Sequence, residues 1–161
     1  MSRTAFRATA LLLAAGSAVA APEKAAVFAF PFSNRSPVPG DEADRARLDR
    51  TSAQLHDLFA KKGRFEIVPT DPVKEEVAKS ADLRRCNSCA EDFVRKLGAD
   101  VAIIGEVQTV SNLILNLNVY VKHLSSNVPE KAYSVDLRGD TDGSSARGIR
   151  FPVENNMGAG K

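Results

Sequence analysis

Leu113-Ile114-Leu115-Asn116-Leu117-Asn118-Val119-Tyr120-Val121-Lys122 is the stretch whose pattern decides the fold. In an extended chain Leu113, Leu115, Leu117, Val119 and Val121 share one face, while Asn116, Asn118, Tyr120 and Lys122 share the other. That is the period-two signature of a half-buried strand. Just upstream, Val101, Ala102, Ile103 and Ile104 are apolar on both faces, and Gly105 marks a bulge or a close approach. Ser111-Asn112 is placed as the hairpin turn between these two strands. Downstream, Tyr133, Val135 and Leu137 repeat the alternation after a turn through Ser125 to Glu130. The chain is therefore expected to close its sheet with a three-stranded antiparallel meander.

Toward the N-terminus the pattern changes. Lys24 to Phe32 reads as a strand buried on both sides, since Ala25, Ala26, Val27, Phe28, Ala29 and Phe30 are all apolar. Ser33 to Asp44 is a loop rich in Pro, Gly, Ser and Asp, longer than most connections. Leu48, Thr51, Leu55, Leu58 and Phe59 then recur at helical spacing, predicting a helix from about Ala43 to Lys62 that stops at Gly63. Arg64 to Val68 is a second strand, parallel to the first because a helix connects them. Asp71 is placed as the cap of a short helix with Pro72 at its first position, and another helix is expected from Cys89 to Leu97. A last short helix starts near Asp142 or Ser144 and ends at Pro152, before a frayed tail. The fold class is α/β: a mixed five-stranded sheet, built as strand-helix-strand-helices and then the meander, with helices packed on it.

The first twenty of the 161 residues read as a secretory signal peptide: Arg3 and Arg7, an apolar run from Ala8 to Ala15, then Ala18-Val19-Ala20 before Ala21. Residues 21–161 are then one domain, expected in the periplasm, and no later segment is apolar enough to span a membrane. The leader takes two of the 22 basic residues and none of the 20 acidic ones, so the mature charge is near zero. Bulk charge gives no argument for a nucleic-acid partner, and the absence of Trp weakens any case for a base-stacking or sugar-binding platform.

Several segments together resemble known exported modules. Ala26-Val27-Phe28 running into Pro31-Phe32-Ser33-Asn34, Gly63-Arg64-Phe65 before a strand, and Gly105-Glu106-Val107 opening a hairpin are similar to the TolB amino-terminal-like and CsgG-like periplasmic domains. Cys86-Asn87-Ser88-Cys89, Leu97-Gly98-Ala99-Asp100, the stretch 110–116 and Asp136-Leu137-Arg138-Gly139-Asp140-Thr141-Asp142 more closely resemble an exported bacterial family known only as a domain of unknown function. The resemblance implies an accessory role beside quinoprotein alcohol dehydrogenase systems. It supplies no catalytic residues.

Cys86 and Cys89 are the only cysteines, spaced C-x-x-C, and an oxidising compartment should join them. A small structural disulfide is the plainer reading; a redox pair at a helix N-terminus is the sharper one. Ala90 stands where haem attachment would require a His. His56 and His123 with the two cysteines match no zinc-site spacing, and Asp140-Thr141-Asp142-Gly143 reads as a polar turn that caps the last helix, because Phe151 stands where a calcium loop needs Glu. The polar face of the meander should bring together Glu106, Gln108, Asn116, Asn118, Tyr120, Lys122, Ser134, Asp136 and Arg138. Of these, Asn116, Asn118, Tyr120, Asp136 and Arg138, with Asn34 from the first loop, are the candidate binding residues. Asn is a poor strand former, which makes the pair at 116 and 118 unusual. The sequence thus points to a non-catalytic accessory or binding protein with a periplasmic protein partner, no cofactor and no metal. A thiol-disulfide redox protein and a small-solute or metal binder are the alternatives.

Overall fold

Ala25, Ala26, Val27 and Phe28 are all buried, as a strand lying between two layers must be, and they form the body of β1 (Glu23–Phe28). The computed structural model describes residues 21–31, 41–80, 82–111, 114–125, 127–138 and 141–155. β2 (Phe65–Val68) pairs parallel to β1 on one side, Glu23 opposite Phe65. On the other side β3 (Val101–Ser111) is also parallel, with Ala25 opposite Val101 and Phe28 opposite Ile104. β4 (Ile114–His123) and β5 (Lys131–Arg138) complete the sheet antiparallel, giving the order β2-β1-β3-β4-β5. The mixed five-stranded sheet expected from the sequence is therefore present. Ser111 pairs with Ile114, while the turn position Asn112, with Leu113, lies outside the described residues.

β1 ends at Phe28, short of Phe32. Beyond it the chain crosses over β3: the Phe30 amide donates to Ser52 Oγ at 2.9 Å, and the Val107 amide donates to the Pro31 carbonyl at 3.2 Å. The Phe30 ring fills the space above Gly105, where a Cβ would stand 2.3 Å from two ring carbons. Of the two expectations for Gly105, the close approach is the one found, and the register shift lies further along, between Thr109 and Ser111.

Helix α1 (Glu42–Lys62) begins with a capping box, the Asp44 amide donating to Asp41 Oδ1 at 2.8 Å and the Asp41 amide to Asp44 Oδ2 at 3.0 Å. It stops at Gly63 as expected. Leu48, Thr51, Leu55 and Phe59 form its buried stripe, and Leu48, Leu55 and Phe59 share one core with Ala25, Val27, Ile103, Leu117 and Val119. A last helix, running Asp142–Asn155, shares that layer through Ile149 and Val153. It passes through Pro152 instead of ending there. Proline removes one backbone hydrogen bond, but Pro152 lies on the same buried stripe as Gly148, Ile149 and Val153, and burying that stripe keeps the turn closed. Arg47 and Arg50 reach from α1 to Asp142 at 3.3 and 2.9 Å and tie the two helices together.

The opposite face is covered by a 3-10 turn (Asp71–Val73), by α2 (Lys74–Lys79) and by α3 (Cys89–Lys96). Asp71 is the first residue of the turn, and Thr70, not Asp71, holds the cap position. Pro72 needs no amide partner in a first turn, so the turn closes without a side-chain cap. Val73, Ala90, Phe93 and Val94 pack on Ala26, Phe28, Ala102 and Ile104, with the Phe28 and Phe93 rings 6.5 Å apart. Helices thus lie on both faces of the sheet, as two parallel crossovers of one hand running in opposite directions require. We number the Asp142–Asn155 helix α4.

Candidate functional site

The register decides which side chains meet. Tyr120 stands opposite Ile104, Asn118 opposite Glu106 and Ser134, and Asn116 opposite Gln108 and Asp136. Arg138 stands opposite Ile114. Because alternate residues share a face, all nine residues of the expected polar face do lie on one side of the sheet. Asn34 lies outside the described residues.

Most of these groups are paired with each other. Asn116 Nδ2 donates to Asp136 Oδ1 at 2.7 Å, and Ser134 Oγ donates to Asn118 Oδ1. The two asparagines therefore fasten β4 to β5 by cross-strand side-chain bonds, which accounts for poor strand formers at these positions. Asn118 is 6% exposed and its carbonyl is spent inside the sheet. Asn116 and Asp136 remain accessible, and Arg138, the last residue of β5, is exposed. Lys122 Nζ pairs with Glu91 of α3. Burial opposes the Glu91 charge, but Lys122, the backbone and Arg95 outweigh it and hold this carboxyl below the ordinary glutamate range.

At the Tyr120 end a loop folds over the sheet. Asp82 shapes it, accepting the Arg84 amide on Oδ1 at 2.8 Å and the amides of Arg85 and Cys86 on its carbonyl. Arg84 is thereby laid flat on Tyr120, its guanidinium carbon 3.5 Å from the ring centre, and donates through Nη1 to Glu130 Oε2 at 2.7 Å. Tyr120 donates its hydroxyl to Glu106 Oε2 at 3.1 Å. Burial and then Glu106 push the phenol above its ordinary value, against the pull of Arg84. Burial works against the charge of Arg84, yet Glu130, Tyr120 and Glu106 together keep its guanidinium above the ordinary value. Arg84, Arg85, Glu106, Gln108 and Tyr120 line a polar cleft of about 230 Å³.

The same loop carries the cysteines. Cys86 and Cys89 are joined in a disulfide, and Cys89 is the first residue of α3. Ser88, inside the small ring, has φ 67°, a left-handed conformation uncommon for a residue with a Cβ. His56 is exposed on α1 with Asp57 3.8 Å away, and His123 ends β4 beside Glu23 at 3.4 Å. Among the described residues no three of His, Cys, Asp and Glu are grouped to hold a metal ion.

A second cleft, of about 460 Å³, runs along the outer edge of the sheet between β5 and α4. Asp136 and Arg138 reach it from β5, and Arg147 and Phe151 from α4. Phe151 is 56% exposed. Sequence reasoning missed Arg84, Glu130, Arg147 and Phe151. Nothing in a loop's sequence says that its arginine will stack on a strand two elements later. Phe151 did leave a signal, since it falls out of phase with the 149, 152, 153 stripe.

Helices on both faces of a mixed five-stranded sheet define this protein as a three-layer α/β domain. The chain belongs to the DUF3280 family, described as "Protein of unknown function (DUF2380)", whose model matches residues 23–157. No curated protein matches it. Among solved structures it is similar to the lipoprotein GNA1162 from Neisseria meningitidis, at 18% identity and TM-score 0.51, covering 84% of this chain and 99% of that one. It is also similar to a dodecamer of a PelC variant from Paraburkholderia phytofirmans, at 11% identity and TM-score 0.50, covering 87% and 94%. The C-terminal domain of LpoB from Salmonella enterica aligns at 16% identity and TM-score 0.46, covering 74% and 86%. At these identities the likeness is one of fold. Among the described residues no helix is long and apolar enough to cross a membrane.

Proposed function

We propose that this is a non-catalytic accessory protein of the bacterial periplasm, exported by the leader of residues 1–20, that works by holding a protein partner on the β4–β5 end of its sheet. The observation that carries this reading is the interlocked polar face. Asn116 with Asp136, Asn118 with Ser134, Tyr120 with Glu106 and Lys122 with Glu91 hold one another in fixed positions. Such a surface is pre-organised, so a partner meets it with little ordering left to lose. It is poorly suited to acid-base work, because Tyr120 is committed to Glu106 and Lys122 to Glu91. Among the described residues neither histidine hydrogen-bonds a serine or a cysteine, as nucleophilic catalysis would need. Asn116, Asp136 and Arg138, with the exposed Ser134 beside them, form the contact surface; Asn118 and Tyr120 hold it in shape. Service to a quinoprotein dehydrogenase system is the finer form of the proposal and comes from the family resemblance.

One observation favours a second reading. Cys89 opens α3, where the helix dipole favours a thiolate, and both cysteines are only partly buried. Capture from a periplasmic extract, with the mature chain and with its Cys86→Ser, Cys89→Ser double variant, separates the two. Recovery of the same protein by both forms supports the accessory reading. Mixed disulfides formed by the wild type alone would replace it with thiol-disulfide exchange.

A further inference from the structure

We infer that the outer edge of β5, with the cleft between β5 and α4, takes one extended segment of the partner as a sixth strand, and that this segment carries acidic and apolar side chains. The inference rests on the reading that the protein holds a protein partner; it adds where the partner sits and what chemistry it brings.

Among the described residues no strand other than β4 pairs with β5, and the Arg138 carbonyl at its end accepts from Ser144 Oγ at 3.3 Å. Edges of this kind are usually blunted by charge, proline or shortness. The opposite edge obeys that rule, since β2 has four residues. β5 has eight, with Pro129 and Lys131 at its start, and between Ala132 and Leu137 its only charge is Asp136, already bonded to Asn116. An eight-residue edge whose middle, Ala132 to Val135, carries no charge is a template for strand addition.

The walls of the cleft specify what is added. The half-buried Val135 from β5 and the exposed ring of Phe151 from α4 offer an apolar wall, with the buried Leu137 beneath it. Arg138 and Arg147 line the same cleft, and among the described residues neither is paired with a carboxylate; Arg147 has only a 3.5 Å bond to Ser144 Oγ. An incoming strand thus meets two guanidinium groups that have no carboxylate partner among the described residues, beside apolar surface. Acidic side chains satisfy the first and aliphatic ones the second. A second copy of the chain is a poor occupant, because it would bring its own Arg138 and Arg147 to the same edge.

The test uses the disulfide-intact chain and a synthetic peptide of alternating Val and Glu long enough to pair with all of β5, with a counterpart in which Lys replaces Glu. The expected result is slowed amide hydrogen exchange along β5, tighter binding of the Glu peptide by about tenfold, and reversal of that preference in the Arg138→Glu, Arg147→Glu double variant. Phe151→Ser should weaken both peptides alike while leaving the charge preference intact. Equal binding of the two peptides, protection outside β5, or a dimer formed through β5 in sedimentation would overturn the inference. If the double reversal leaves capture of a natural partner unchanged, the edge inference falls while the accessory reading stands.

Discussion

Gly105 shows how one missing side chain shapes the area beside the site. The Phe30 ring occupies the position where a Cβ on residue 105 would stand, and a ring held by its own backbone bond to Ser52 cannot swing aside cheaply. Gly105→Ala should therefore destabilise by about 1–3 kcal/mol in urea unfolding, the usual cost of overpacking. The cost should shrink in a Phe30→Leu background, and an unchanged cost there would contradict the contact. Tyr120 gives a spectroscopic counterpart. Its phenol should ionise above the ordinary tyrosine value, and Glu106→Gln should bring that titration down, read as phenolate absorbance against pH. Glu91 gives a pH dependence of stability. Its folded pKa lies below the ordinary value of 4.5, so its contribution is complete above that value and is lost as pH falls through the lowered one. Unfolding midpoints measured from neutral to acid pH should fall less steeply in Glu91→Gln than in the wild type.

The elements differ in how far the sequence revealed them. β4 was plain because its alternation is uninterrupted, and α1 because Leu48, Thr51, Leu55 and Phe59 repeat at helical spacing before a glycine. The loop over Tyr120 was not legible. Arg84 is placed by a turn around Asp82 and by Glu130, partners too distant in sequence for periodicity to register. The length of α4 was hidden for a different reason: proline is a reliable stop only where no packing rewards continuation, and here the buried 148, 149, 152, 153 stripe does so. Asn116 and Asn118 were legible as anomalies; their cause, bonds to the next strand, needed the register. Asp41→Ala removes half of the α1 capping box and should cost about 1 kcal/mol, measured by urea unfolding. Cys86→Ser with Cys89→Ser opens a very small ring and should cost no more than about 2 kcal/mol in the chain-entropy model, leaving the far-UV circular dichroism unchanged. Loss of the native spectrum would mean that the disulfide holds more than the start of α3.

At the scale of the whole molecule the two edges of the sheet are unequal. One is a four-residue strand, while the other presents eight residues beside an exposed phenylalanine and two arginines that have no carboxylate partner among the described residues. The helices that cover both faces leave the β4–β5 end as the place where polar groups, backbone and apolar surface are all accessible together. Whether this end of the sheet holds a protein partner is read by photocrosslinking in the cells that make the protein. The crosslinking residue would be placed in turn at Ser134 on β5, at Phe151 on α4 and at Asp49 on the exposed side of α1. The account predicts one and the same protein crosslinked from Ser134 and Phe151 and none from Asp49. Crosslinks from Asp49 alone, or equal capture of many proteins from all three positions, would contradict it.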